Sequence, residues 1–177
     1  MIRRVAPPGS FTNVVYRRAD VQLPVVIRGA HHDDLAKLEW FGTYTHFRDI
    51  FQRTWADHVA GRRLMLVADL NDFPAGQVWL DMSPTEYAYV YAFRVWEPLR
   101  GGGIGTLLLQ TAQHIAKEQG FAQVQLAVER TNSAALHLYE RLGYRTFSQR
   151  IDVWSYVDQH GTTHWVEEDV WGMRRWL

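Results

Sequence analysis

No cysteine occurs in the 177 residues, so the chain has neither a disulfide frame nor a thiolate cluster to hold a metal. It carries no net charge: 19 lysines and arginines meet 19 aspartates and glutamates. Such a balance argues against a broad nucleic-acid footprint or a basic membrane face, while leaving room for local patches. No stretch approaches the roughly 18 consecutive apolar residues that a bilayer-spanning helix needs. Met1-Ile2-Arg3-Arg4 has no apolar run behind it to act as a signal peptide. Repeats, low-complexity tracts and linkers are missing too. These absences lead to the expectation of a cytoplasmic protein with no nucleic-acid, membrane or metal partner.

What is present is apolar and aromatic. A hydrophobic share of 47% over this length suits one domain with a substantial core. The aromatic share is 14%, with eight tryptophans; it fits a bulky core or a ring-lined pocket, and composition does not choose.

Residues 1–22 contain Pro7-Pro8-Gly9-Ser10 and little periodicity, so they read as an N-terminal extension, with the domain spanning 23–177. Val25-Val26-Ile27 suits a first strand. His31-His32-Asp33-Asp34 precedes Leu35, Leu38 and Phe41 at helical spacing, and reads as a helix start with acids on the positive dipole end. A second helix is predicted over Phe47 to Ala60, with Phe47, Ile50, Phe51, Trp55 and Val59 on one face. Leu64 to Ala68 and Gln77 to Asp81 read as strands. From Glu86 to Trp96 the pattern alternates strictly: Tyr87, Tyr89, Tyr91, Phe93 and Val95 on one side, Ala88, Val90 and Ala92 on the other. A strand apolar on both faces belongs in the middle of a sheet.

Gly101-Gly102-Gly103 opens a helix carrying Ile104, Leu107, Leu108, Ala112 and Ile115. A strand over Phe121 to Val128, a helix over Ser133 to Leu142 and two strands around a turn near Asp158 to Thr162 complete a mixed α/β domain. Glycines between a central strand and a helix let backbone N–H groups approach an anion at the positive end of the helix dipole. Arg100 adds a cationic fork. A pyrophosphate is the natural guest, and a tight turn with no ligand is the plain alternative. The Walker pattern fails because no lysine follows Gly105, and the dinucleotide pattern fails because Thr106 stands where its last glycine belongs.

Arg100-Gly101-Gly102-Gly103-Ile104-Gly105-Thr106 resembles the acetyl-CoA-binding turn of the GNAT N-acetyltransferase superfamily, Arg/Gln-x-x-Gly-x-Gly/Ala. A second signature follows: Asn132-Ser133-Ala134-Ala135-Leu136-His137-Leu138-Tyr139-Glu140-Arg141-Leu142-Gly143-Tyr144 is similar to the family's Asn-x-x-Ala-x-x-x-Tyr run. The resemblance is sharp from about Val95 to Phe147. One departure stands before the turn, where Glu97 takes a place often held by proline and Pro98 follows. The resemblance implies a mixed, mostly antiparallel sheet of six or seven strands with about four helices. It also implies acetyl-CoA as co-substrate, no metal, and an amine acceptor.

Carried onto this sequence, the resemblance places the main chain near Val95 and Trp96 at the thioester oxygen, a backbone donor worth a few kcal/mol. Asn132 and Tyr139, seven residues apart, would share a helix face, with Asn132 near the pantetheine arm and Tyr139 near the sulfur. A phenol of pKa about 10 protonating a thiolate whose thiol has pKa about 8.5 is uphill by roughly 2 kcal/mol, so Tyr139 is expected to donate a hydrogen bond as charge builds. The amine must lose a proton before attack; Glu86 is the first candidate base, with Glu129 and Asp81 behind it. The acid run Glu167-Glu168-Asp169 suits a solvated strand or turn, or a patch for a cation. The expected acceptor is a small-molecule primary amine, with a protein N-terminus or lysine second and a non-catalytic acyl-CoA-binding domain third. A homodimer is expected on the resemblance alone.

Overall fold

The strands predicted along the chain join into a single sheet, in a computed structural model that describes residues 22–177. The extension expected over 1–22 lies, but for Gln22, outside them. The order of elements is β1 (Val26–Gly29), α1 (Asp34–Lys37), a 3-10 turn (Thr45–Phe47), α2 (Arg48–Val59), β2 (Arg63–Leu70), β3 (Phe73–Asp81), β4 (Ala88–Val95), a 3-10 turn (Glu97–Leu99), α3 (Ile104–Glu118), β5 (Gln123–Glu129), α4 (Ser133–Arg141), β6 (Arg145–Val157) and β7 (Thr163–Trp176). The strands lie in the order β1-β2-β3-β4-β5-β7-β6. All neighbours are antiparallel except β4 and β5, as expected for a mixed, mostly antiparallel sheet. Among the described residues no helix is long and apolar enough to cross a membrane.

Each face of the sheet carries its own core. On one, Ile104, Leu108, Leu109 and Ala112 of α3 pack with Val78, Leu80, Val90 and Leu126. On the other, Leu35, Leu38 and Phe51 pack on Met65, Val67 and Trp79. Burying each such side chain contributes about 1.5–3 kcal/mol. The face of α3 differs slightly from the predicted one: Leu107 is exposed and Leu109 fully buried.

Three local expectations are corrected. The helix foreseen through Phe41 is one turn long, because Trp40 and Phe41 adopt φ of +43° and +59°. Leu38 still reaches the core, but Phe41 is 84% exposed, against Phe73 and Trp96. In α2, Thr54 is buried where Val59 was expected to be, and Val59 is exposed. Of the His31-His32-Asp33-Asp34 run, Asp34 is buried and paired with Arg28 at 2.6 Å, and accepts from the His31 N–H at 2.7 Å. That guanidinium holds its carboxyl below the usual range against the opposing effect of burial, which is the largest influence on it.

The third correction positions the site. Alternation along β4 is not strict, because Ala92 has φ of +48° and the register with β3 slips between Gln77 and Trp79. This is a β-bulge, with an extra residue on β4. Tyr91 and Ala92 therefore pack toward α2, while Phe93 and Val95 pack toward α3.

Candidate active site

β4 and β5 share only three paired positions, Ala88 with Val124, Tyr89 with Gln125 and Val90 with Leu126. Past Val90 the strands part around a crevice of about 680 Å³, within the usual range of small-molecule and cofactor sites, about 300–1,000 Å³. The bulge bends β4 away at this point. Gln77 Nε2 braces it by donating to the Ala92 carbonyl at 3.0 Å.

Backbone groups follow from the ladder. The Trp96 N–H donates to the Ala75 carbonyl at 2.8 Å, so the peptide groups of Val95 point to the opposite edge of β4, toward the crevice. Arg100 Nε donates there to the Val95 carbonyl at 3.1 Å. Val95 thus keeps a backbone donor on the crevice edge. Trp96 does not: its N–H is engaged toward β3, and the residue is not on the crevice wall.

The glycine turn closes one end. Glu97 to Leu99 form a short 3-10 turn around Pro98, so the departure from the family pattern leads into the turn without disrupting it. Gly101 and Gly103 take φ of +82° and +88°, a region costly for residues with a Cβ. Gly103 is the N-cap of α3 and offers no side-chain cap. Among the described residues, no backbone acceptor takes the N–H of Gly101, Gly102 or Gly103. Uncommitted donors at the start of a 15-residue helix make an anion-binding end. Gly105 is required for another reason: a Cβ there would lie 2.9 Å from the Phe93 ring. Arg100, Gly101, Gly103, Ile104, Gly105 and Thr106 line the crevice; Gly102 does not.

The opposite wall comes from α4. Asn132 and Tyr139 both line the crevice, but Asn132 is the N-cap of the helix and not part of its face. Its Oδ1 accepts from the Ala135 N–H at 3.1 Å, leaving its amide N–H groups as the donors that it still has to offer. Tyr139 is only 5% exposed, held by Phe93 and Tyr144 rings at 6.0 and 5.7 Å. Burial pushes its phenol well above the ordinary range, with Tyr144 and Tyr89 adding to it, and no hydrogen bond offsets them. Such a group donates a hydrogen bond far more readily than a proton.

The carboxylates sort differently from expectation. Glu86 is exposed in the bend ahead of β4, at the far end of that strand from the crevice. Asp81 is held by Arg63 at 3.2 Å and by the Ser83 N–H. Neither lines the crevice, whereas Glu129 and Glu168 do. Burial raises the Glu168 carboxyl, a hydrogen bond from Trp154 lowers it, and Glu129 raises it further. Sequence reading passed over Glu168 as part of an acid run; the signal was the alternation of β7, which turns Glu168 inward with Val166 and Val170. The same alternation carries Trp154 and Tyr156 of β6 against Phe47, at 6.0 and 5.0 Å.

The acetyltransferase (GNAT) family model matches residues 32–144, which include both motifs. The uncharacterized N-acetyltransferase YdgE of Bacillus subtilis is 36% identical over 72 residues, 39% of this chain and 46% of that protein. A mycothiol acetyltransferase of Gordonia bronchialis is 40% identical over 75 residues, 42% of this chain and 24% of its own. The matched segment spans less than half the length of either relative. An acetyltransferase of Salmonella typhimurium, solved with its cofactor acetyl-CoA, superposes with a TM-score of 0.65 at 20% identity, over 86% of this chain and 94% of its own; that likeness is one of fold. Family model, motif order and crevice agree, and this chain belongs to the acetyltransferase (GNAT) family.

Proposed function

We propose that the protein transfers the acetyl group of acetyl-CoA to a primary amine of a small molecule, by direct attack in a ternary complex. One observation carries the reading: a single crevice is lined by the glycine turn before α3, the open edge of β4, and Asn132 and Tyr139 of the α4 wall, and the glycine amides of the turn have no backbone acceptor among the described residues. Acetyl-CoA supplies an activated thioester when bound. The amides of Gly101 and Gly103 and the Arg100 guanidinium hold its diphosphate, and the Asn132 amide and the β4 edge hold its arm. The Val95 N–H stabilises charge at the carbonyl oxygen, and Tyr139 donates a hydrogen bond to the departing sulfur. Glu168, with Glu129 beside it, takes the proton of the amine directly or through water; Glu86 is too far along β4 for that role.

A small acceptor is favoured over a peptide because the β6–β7 hairpin packs on the 3-10 turn at Thr45–Phe47. Phe47 meets Trp154 and Tyr156, and His46 meets Tyr156 at 5.3 Å, so packed rings, not an open groove, join the hairpin to the turn. Calorimetric titration with acetyl-CoA, followed by thiol release on a panel of small amines and peptides, tests the proposal. Binding with thiol release on small amines is expected. Failure to bind acetyl-CoA sinks the reading, and binding without release on any amine favours a non-catalytic acyl-CoA-binding domain.

A further inference from the structure

Among the described residues no carboxylate forms an ion pair with Arg94; aromatic rings surround it instead. It follows the bulge on β4, on the face that carries Tyr91 and Glu168, and it lines the crevice. Its guanidinium lies 4.0 Å from the centroid of the Tyr44 ring and 5.6 Å from those of Phe47 and Phe51. Arg28, Arg48 and Arg150, by contrast, each sit 2.6 Å from a carboxylate oxygen. Among the described residues no carboxylate contributes to the field at Arg94. Burial pulls its pKa down to about 10, opposed only by Tyr44. A largely desolvated guanidinium without a counter-ion is costly, and retaining one in a cleft points to an anion that arrives with a ligand.

Across the opening the charge has the opposite sign. Glu129 of β5 and Glu168 of β7 lie on the same sheet face as Arg94, on the far side of the gap between β4 and β5. One wall therefore suits an anion and the other an amine.

We infer that Arg94 receives a carboxylate of the acceptor, so that the substrate is a small amino-acid-like compound with its amine toward Glu129 and Glu168. The amine end rests on the acetyl-transfer reading above; the carboxylate end rests on the surroundings of Arg94 alone. Tyr44 covers one face of the guanidinium and is the one hydrogen-bonding side chain acting on it; the in-plane N–H groups beyond that bond suit the paired contacts that a carboxylate matches. A polyamine or aminoglycoside, cationic throughout, meets like charge at this wall.

The test uses small α-amino acids and the primary amides of the same compounds, which share shape but lack the anion. Calorimetric titration into the protein with coenzyme A present is expected to show the carboxylates binding about 10- to 100-fold more tightly than the amides, the range of a charged hydrogen bond. That ratio falls to near one in Arg94→Met and is partly kept in Arg94→Lys, with coenzyme A affinity and the melting profile confirming that both variants fold. Equal binding of each pair, binding of neither, or a preference that survives Arg94→Met overturns the inference. A phosphonate analogue that binds more tightly than its carboxylate overturns the choice of anion. Thiol release on the same pairs separates the two readings: a carboxylate preference in binding with no transfer to any acceptor sinks the acetyl-transfer reading and leaves the role of Arg94 standing.

Discussion

At the scale of single residues, the site depends on groups that sequence can name and on others that only their surroundings explain. Tyr139 is a core ring by its burial and a crevice residue by its position, so its hydroxyl can be removed with little disturbance to packing. Tyr139→Phe is expected to lower turnover about 100-fold, within the usual range for a group that manages a proton or hydrogen bond in the transition state. Its affinity for acetyl-CoA should stay within about threefold, as read by calorimetry beside steady-state rates. Equal losses in both would make Tyr139 structural. Gly103 tests the other end of the crevice. Its φ of +88° is strained for any residue with a Cβ and worst for a β-branched one, and a side chain there would crowd the anion-binding amides. Gly103→Val should therefore weaken acetyl-CoA binding by more than about 100-fold while the far-UV dichroism keeps its native form. Retained affinity would place the diphosphate elsewhere.

At the scale of elements, the strands and helices around the motifs were legible because glycine punctuates them and apolar periodicity runs between. Gly103, Gly120 and Gly143 mark boundaries of α3 and α4 in sequence and in structure alike. What sequence did not reveal was the bulge in β4, and the reason is physical. An alanine in the left-handed region has no sequence signature, and the bond that braces it comes from Gln77 on the neighbouring strand. The slip reverses the faces of every residue beyond it, which is why Phe93 and Val95 face α3 while Arg94 faces the rings of Tyr44 and Phe51, and why the role proposed for Arg94 could not be read from spacing. The short α1 was missed likewise: left-handed Trp40 is held by its indole N–H donating to the Pro74 carbonyl at 2.8 Å, a contact across 34 residues. The bulge gives a prediction of its own. Gln77→Leu removes the donor that braces the Ala92 carbonyl, at a cost of about 1 kcal/mol, and lets β4 relax toward regular pairing. The expected outcome is a small fall in melting temperature with a larger fall in kcat/KM; a loss of rate no greater than the loss of folded protein would mean that the bulge is not needed for the chemistry.

At the scale of the whole molecule, the splayed sheet couples stability to pH through Glu168. Its carboxyl is raised, first by burial, so the native state holds that proton more tightly than the unfolded chain. The stabilisation is therefore complete below the unfolded value, about 4.3, and is lost as pH rises through the higher native value. The same deprotonation produces the base proposed for the amine, so activity should rise across the window in which this part of the stability falls. Glu168→Gln separates the two effects, because the amide still accepts from Trp154 yet never ionises. At neutral pH the variant should melt slightly higher, by less than about 4 °C for a stabilisation under about 1 kcal/mol. Its kcat/KM should lose the acid-side bend contributed by Glu168 while keeping the slope due to deprotonation of the amine itself. Melting curves and pH–rate profiles of the two proteins, measured side by side, decide the matter. A variant that melts lower than the parent at neutral pH, or keeps the same bend, would show that Glu168 is a packing group on the crevice wall and that proton removal runs through Glu129 or water.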